Sequence, residues 1–258
     1  MIKKLRTLLN SVPEAEPIVT RIPDGERVYA IGDIHGRADL FETMIAQIDA
    51  DDAARGMAQT TVILLGDLVD RGPESARVIA LARDWGARRR VRLLQGNHEE
   101  MFLGGFDDDK VLRHFLRYGG RETLLSYPIA ADEYHRATLE ELQALMRERV
   151  PAADLAFLRA MEDLIRIGDY VFVHAGIRPG LPLDAQVPAD LRWIRGEFYD
   201  DPRPRDFAVV HGHTITPAPE LHPNRIGIDT GAFASGQLTA IGLEGTERWL
   251  IVAEGEPA

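Results

Sequence analysis

The 258-residue sequence has no cysteine. That excludes disulfides, thiolate metal ligands and a cysteine nucleophile, and with the last a phosphocysteine mechanism. It also has no apolar run approaching the 18 or so residues that read as a membrane span. Between Met1 and Leu9 the basic Lys3, Lys4 and Arg6 are followed only by Leu8 and Leu9 before Asn10, too short for the apolar region of a signal peptide. A cytoplasmic protein with no membrane partner is the expectation. Positive charge is scarce as well, with 30 Lys and Arg against 41 Asp and Glu and a net charge of −11. Such a balance argues against a broad phosphate-tracking surface, so no nucleic acid is expected as a partner.

What the chain does have is 45% hydrophobic residues, enough for one sizeable core. We read residues 1–258 as one elaborated domain. Arg27 to Gly32 reads as a buried strand, followed by a helix over Ala38 to Asp49 with apolar Leu40, Phe41, Met44, Ile45 and Ile48. The same pattern recurs with a strand over Thr60 to Leu65 and a helix over Glu74 to Trp85, with Pro73 where a helix start tolerates it. A third strand runs from Val91 to Gln95, and Glu99 to Leu103 can begin a helix. This β-loop-α repetition predicts neighbouring parallel strands whose carboxyl-end loops lie side by side, where α/β folds place ligands.

Between Glu100 and Ile165 the pattern turns helical, with helices predicted over Val111–Tyr118, Ala137–Val150 and Asp154–Ile165. We read the segment as an insertion covering one side of a cleft. Ile165–Ile167 and Tyr170–Val173 look like a hairpin that delivers His174. A long Pro- and Gly-rich loop then leads to Phe207–Val210, and Arg225–Ile228, Gln237–Leu243 and Glu247–Val252 are read as completing a second, mostly antiparallel group. The predicted fold class is α/β, two packed mixed β-sheets flanked by helices.

Five clusters follow the apolar runs: Gly32-Asp33-Ile34-His35-Gly36, Gly66-Asp67-Leu68-Val69-Asp70-Arg71-Gly72, Gly96-Asn97-His98-Glu99, His174-Ala175-Gly176 and His211-Gly212-His213-Thr214. Asp33 and His35 are two residues apart and share a face of an extended segment, so they can bind one ion. Asp67 can offer two oxygens and so bridge two ions. Asn97 adds an amide oxygen, and His174 and His213 add imidazoles. Oxygen and nitrogen ligation without sulfur suits manganese, iron or zinc better than calcium or copper(I), although ligand type does not select among the three. Two divalent ions are the expected cofactor, manganese first, with iron or zinc as alternatives. Two such ions about 3.5–4 Å apart clamp a phosphate and lower the pKa of a water held between them toward about 7. Departure of the leaving oxygen also needs a proton. His98 is the candidate acid, Asp70 the carboxylate that orients it, and Arg71 a planar fork for the phosphoryl oxygens.

Together these residues resemble the metallophosphoesterases, and within them the phosphoprotein phosphatase group, which includes serine/threonine phosphatases and bacterial diadenosine tetraphosphate hydrolases. The resemblance covers about Val28 to Gly231. It implies one ion on Asp33, His35 and Asp67, a second on Asp67, Asn97, His174 and His213, an acid pair of Asp70 with His98, and Arg71 as a phosphate ligand. Ile215 stands where many phosphodiesterases and nucleases of the wider superfamily carry a further metal-binding His, which favours the phosphatase group. Leu68 stands where eukaryotic phosphatases usually have Tyr, and the chain looks bacterial.

Some features are weaker. Arg178 is read as a second phosphate-binding Arg, and Asp229 as supporting a metal ligand from behind. Asp107-Asp108-Asp109 is read as a solvated loop or helix cap, His211 as structural, and Trp85, Trp193 and Trp249 as packing residues. The expected activity is metal-dependent hydrolysis of phosphomonoesters, with a phosphoserine or phosphothreonine protein or a small phosphate ester as substrate. The alternatives are symmetrical hydrolysis of dinucleoside polyphosphates and a non-catalytic module that keeps the fold.

Overall fold

The computed structural model describes residues 19–257, so the reading of Met1 to Leu9 lies outside the described residues. Strands β1 (Glu26–Ile31), β2 (Gln59–Leu64) and β3 (Val91–Leu93) run parallel and adjacent. Helices α1 (Ala38–Ala54) and α2 (Ser75–Arg88) join them. This is the β-loop-α repetition expected from the sequence, and it sets three of the five clusters side by side at the carboxyl ends of the strands.

The next segment is helical: α3 (Asn97–Gly104), α4 (Asp109–Phe115), α5 (Arg121–Ser126), α6 (Ala131–Arg136), α7 (Leu139–Arg149) and α8 (Ala152–Arg159). The Asp108 side chain caps α4 by accepting the amides of Lys110 and Val111. Two predicted helices end early. The first breaks after Phe115 into a wide turn over Leu116–Gly120. The second stops at Arg159 because the following residues pair with the edge of β3: Glu162 N–H donates to the Leu93 carbonyl and Gln95 N–H to the Glu162 carbonyl, both at 2.8 Å. The helices enclose an apolar cluster that includes Phe102, Phe115, Leu124 and Met146 and extends to Val69 and Ile79 of the preceding unit.

The second sheet has the order β4-β5-β6-β8-β7, formed by β4 (Ile165–Ile167), β5 (Tyr170–Phe172), β6 (Ala208–His211), β7 (Glu220–Leu221) and β8 (Arg225–Gly227). Its hairpin β4–β5 is antiparallel as expected, but β5–β6 and β6–β8 are parallel. Two short helices, α9 (Pro188–Trp193) and α10 (Gly196–Tyr199), interrupt the loop between β5 and β6. The sequence reading assigns the last two strands to this group, and the structure corrects it. After α11 (Ala232–Ser235), β9 (Gln237–Glu244) pairs antiparallel with β1, and β10 (Glu247–Glu254) pairs with β9. The reason is burial on both faces of β9. Leu238 and Ala240 pack toward α1 while Ile241 and Leu243 pack toward the second sheet, a placement available only beside β1.

Alternating side chains of β1 show the layers. Tyr29 and Ile31 join a cluster with Phe41, Met44 and Trp85 of α1 and α2, whereas Val28 and Ala30 join Tyr170, Phe172, Val210 and Ile226 of the other sheet. On the far side Val171, Val173 and Val209 pack against Leu191, Ile194 and Phe198. The order is helices, sheet, sheet, helices. Trp85 is fully buried, lies edge-on to Phe41 at 6.0 Å and donates to Asp49. Truncating so large a buried ring leaves a cavity worth about 3–5 kcal/mol. Trp85→Ala is expected to lower the denaturation midpoint accordingly, and an unchanged midpoint would show that this layer is not close-packed.

Candidate metal centre

The clusters converge at the carboxyl ends of parallel strands from both sheets. Asp33 and His35 follow β1, Asp67, Asp70 and Arg71 follow β2, Asn97 and His98 open α3 beyond β3, His174 lies just past β5, and His213 follows β6. Apart from Arg71, which is half-buried, all of these side chains are buried. The turns are sharp. Among the described residues, the non-glycine positions with positive φ are His35 (46°), Asp67 (50°), Asp70 (74°), Arg71 (69°) and His213 (62°). All five belong to this set, as expected where backbone strain is retained to aim functional groups.

Two groups of side chains present ligand atoms within 4.8 Å of one another: His35, Asp67 and His98, and Asp67, His174 and His213. Asp67 belongs to both, the position a bridging carboxylate requires. His35 donates through Nδ1 to the Val69 carbonyl at 2.7 Å, leaving Nε2 as the free lone pair 3.6 Å from Asp67 Oδ2. His174 likewise donates through Nδ1 to the Leu65 carbonyl at 2.8 Å, so its Nε2 faces Asn97 Oδ1 at 3.0 Å, Asp67 Oδ2 at 3.4 Å and His213 Nδ1 at 3.2 Å. Fixing one ring nitrogen on a carbonyl is how proteins present the other to a cation. Asp33 accepts the His213 amide at 3.0 Å and lies against Asp67 and Asp229.

The donor set fits divalent cations on two further counts. His35 Nε2 is a buried polar atom without a hydrogen-bond partner, a costly state unless something else satisfies it. The charges also conflict without a cation. Burial and the neighbouring Asp229 and Asp67 push the Asp33 carboxyl well up, and burial with the Asp67 charge pushes Glu99 up to about 7. Burial and the charge of His174 hold His213 down to about 2, a neutral imidazole ready to ligate. The imidazoles around Asp67 hold its carboxyl low despite burial.

His98 is set apart from the other imidazoles. Its Nδ1 donates to Asp70 Oδ2 at 2.5 Å, and its Nε2 lies 3.2 Å from Arg71 Nη2. Burial pulls its pKa down, but the charges of Asp67 and Asp70 prevail and raise it. A guanidinium can only donate, so in this arrangement His98 Nε2 accepts from Arg71 while the Nδ1 proton is held by Asp70. Asp70 is held in turn by Thr123 Oγ1, which donates to its Oδ1 at 2.6 Å, while the Asp70 amide donates to Ser75 and Thr123. The Arg71 guanidinium lies over the Phe233 ring at 4.7 Å.

The structure does not bring Arg178 into this cluster. Its Nε and Nη2 fork onto Asp190 at 2.7 and 2.6 Å, and Nη1 reaches Glu197 at 2.6 Å. The fork shape that suggested a phosphate ligand is occupied by a carboxylate. Arg195, on the same loop, is exposed, has no carboxylate partner among the described residues, and its charge helps hold His213 neutral. No local signal in the sequence distinguishes it from other loop arginines. Glu99 was read only as part of a cluster, yet its carboxylate accepts the amides of Gly96, Asp67, Leu68 and Val69 at 2.7–3.3 Å. The capping-box spacing Gly96 to Glu99 was its signal. Asp229 is buried against Asp33, accepts the Gly231 amide at 2.9 Å and keeps Oδ2 unpartnered.

Residues 26–235 match the model of the calcineurin-like phosphoesterase family, and the chain belongs to that family, whose members hydrolyse phosphoesters at a binuclear divalent metal centre. The chain is 30% identical over 237 residues to the asymmetrical bis(5'-nucleosyl)-tetraphosphatase PrpE of Geobacillus thermodenitrificans, covering 82% of this chain and 88% of that protein. The protein of the same name from Bacillus subtilis is 28% identical over 234 residues, 81% of this chain and 87% of that one. A solved structure assigned as a diadenosine tetraphosphatase superposes with a TM-score of 0.61 at 21% identity, over 92% of this chain and 98% of that one. A cold-active protein-tyrosine phosphatase of a Shewanella species gives 0.55 at 21% identity, over 90% and 83%. These two likenesses establish the fold alone. No helix among the described residues is long and apolar enough to cross a membrane.

Because the ligand atoms come from separate strands, bound cations tie those strands together. Chelation is expected to lower the melting temperature. Excess manganese is expected to restore it by about 2.7 kcal/mol at 100 times the dissociation constant. Asp67→Ala is expected to lose both ions, measured as metal per chain, and retention of two ions would remove the bridging role.

Proposed function

We propose that the chain is a metal-dependent phosphohydrolase that cleaves dinucleoside tetraphosphates asymmetrically, with manganese as the cofactor to test first. The reaction class rests on one observation, the His98–Asp70 pair set beside a carboxylate shared by two ligand groups. The substrate rests on the relatives, which carry one activity in their names across four-fifths of the chain. In this reading Asp33, His35 and Asp67 hold one cation and Asp67, Asn97, His174 and His213 the other. The bound pair supplies Lewis acidity and an acidified water.

The chain's own residues do the rest. Arg71, braced by Phe233, and Arg195 take phosphoryl oxygens, and Arg195 replaces Arg178 in that role. Water adds to phosphorus, releasing a proton to solvent, as the anhydride P–O bond breaks. His98, protonated at Nε2 once a phosphate has drawn Arg71 away from it, gives that proton to the departing oxygen. Asp70 holds the ring by Nδ1 throughout and is itself held by Thr123.

A second reading, hydrolysis of phosphomonoesters such as phosphoserine or phosphothreonine, is favoured by the charge of the cleft. Arg71 and Arg195 lack carboxylate partners among the described residues, and with two cations they suit a terminal dianion. Steady-state kinetics on diadenosine tetraphosphate, a phosphoserine peptide and an aryl diester separate the readings. The expected result is the highest kcat/KM on diadenosine tetraphosphate, with AMP and ATP as products. Two molecules of ADP would instead support symmetrical cleavage, and a higher value on the peptide would support the phosphatase reading.

The role of His98 has its own test. An alkoxide leaves only if protonated, whereas nitrophenolate departs unaided. General acid catalysis contributes about 10²–10⁴-fold, so His98→Asn is expected to lose about that much on an alkyl phosphate and distinctly less on nitrophenyl phosphate, with metal content retained. Equal losses on both substrates would move the acid elsewhere.

A further inference from the structure

Among the described residues, the large aromatic side chains that stand well exposed are Tyr118 and Trp193, at 44% and 37%. Sequence reading takes Trp193 as a packing residue, and the structure corrects this. The two rings come from segments far apart in the chain and meet across His114, whose ring lies 4.5 Å from Tyr118 and 6.2 Å from Trp193. Each end of this row adjoins segments that carry the clusters. Tyr118 precedes Gly119, whose carbonyl accepts the Arg71 amide at 3.1 Å. Trp193 donates through Nε1 to Glu100 at 3.2 Å and stands two residues before Arg195, whose charge acts on His213.

The backbone that exposes Tyr118 also seats Arg71. The helix breaks where Tyr118 (φ −106°, ψ 20°) and Gly119 (φ 109°, ψ 7°) leave helical values. A Cβ at Gly119 would stand 2.8 Å from Arg71 Cγ. The break turns a ring outward at the point where the chain touches the phosphate-binding arginine.

We infer that Tyr118, His114 and Trp193 form a stacking platform for the purine base of a nucleotide whose phosphate occupies the cleft. A nucleoside carries its base close to its first phosphate, and Tyr118 adjoins the Gly119 backbone that holds Arg71. Ring faces recognise bases by stacking. The exposed Arg117 guanidinium, 5.9 Å from the Tyr118 ring and without a carboxylate partner among the described residues, adds positive charge for further phosphates in a chain of net charge −11. The inference deepens the nucleotide reading above and rests on it for the cleft as the phosphate site. It also bears on regiochemistry, because asymmetrical cleavage breaks the bond next to the nucleoside-bearing phosphate.

The test compares AMP with ribose 5-phosphate, which carries the same phosphate and sugar but no base. Each is titrated into the metal-loaded enzyme by calorimetry and as an inhibitor of nitrophenyl phosphate hydrolysis. Stacking of one base is worth about 1–3 kcal/mol, or about 5–150-fold, so AMP is expected to bind at least fivefold tighter. In Tyr118→Ala/Trp193→Ala that ratio is expected to fall toward one, and Tyr118→Phe, which keeps the ring, is expected to preserve it. Equal affinity of the two ligands for the wild type, or an unchanged ratio in the double variant, overturns the platform. Turnover of diadenosine tetraphosphate is scored separately. Its absence with the AMP preference intact removes only the proposed reaction.

Discussion

The Glu99 carboxylate accepts the backbone amides of Gly96, Asp67, Leu68 and Val69, and the arrangement of the centre depends on that contact. These amides belong to two loops that leave adjacent parallel strands, and neither loop has a regular ladder to satisfy them. Buried amides without an acceptor are costly. One anion at the start of α3 therefore draws the loop carrying Asp67 and the turn carrying Asn97 and His98 into one compact knot. The same knot lets Asp67 Oδ1 accept the His98 amide at 3.0 Å, so Asp67 and His98 are positioned by one another.

Seated this way, the centre carries a large unfavourable load. Five non-glycine residues lie in the left-handed region, each costing on the order of 1–3 kcal/mol, and Asp33, Asp67, Asp229 and Glu99 are buried together. Two hydrophobic layers, one between the sheets and one beneath α1 and α2, supply the rigidity that holds these conformations. Divalent cations offset the remaining charge. A fold in this position gains stability from the ions its chemistry needs, which links metal content to folding as closely as to activity.

Much of this was legible in the sequence because it is local. The alternation of buried strand, Gly-flanked cluster and helix is written within thirty residues at a time, and it identified the loops carrying Asp33, Asp67 and Asn97. What the sequence concealed is long-range. The pairing of β9 with β1 is decided by which edge can cover both of its faces, and nothing near Gln237 records that. Thr123 is an ordinary helical threonine until α5 packs against the turn at Asp70. Arg178 and Arg195 have the same chemistry in the same loop, and only the positions of Asp190 and Glu197 decide that one fork is occupied and the other free.

These long-range contacts tie the helical insertion to the chemistry. Through Thr123 the insertion holds Asp70, and through the Gly119 carbonyl it holds the backbone of Arg71. In the proposed reading it therefore supports the acid pair and the phosphate fork, whereas the proposed cation ligands follow or adjoin strands of the two sheets, Asn97 at the start of α3 included. Changes in the insertion can thus alter which phosphate compound is gripped, and how its leaving group is protonated, without disturbing cation binding. In the proposed reading the sheets carry the cation ligands, and the helices with the Trp193–Arg195 loop face the leaving group.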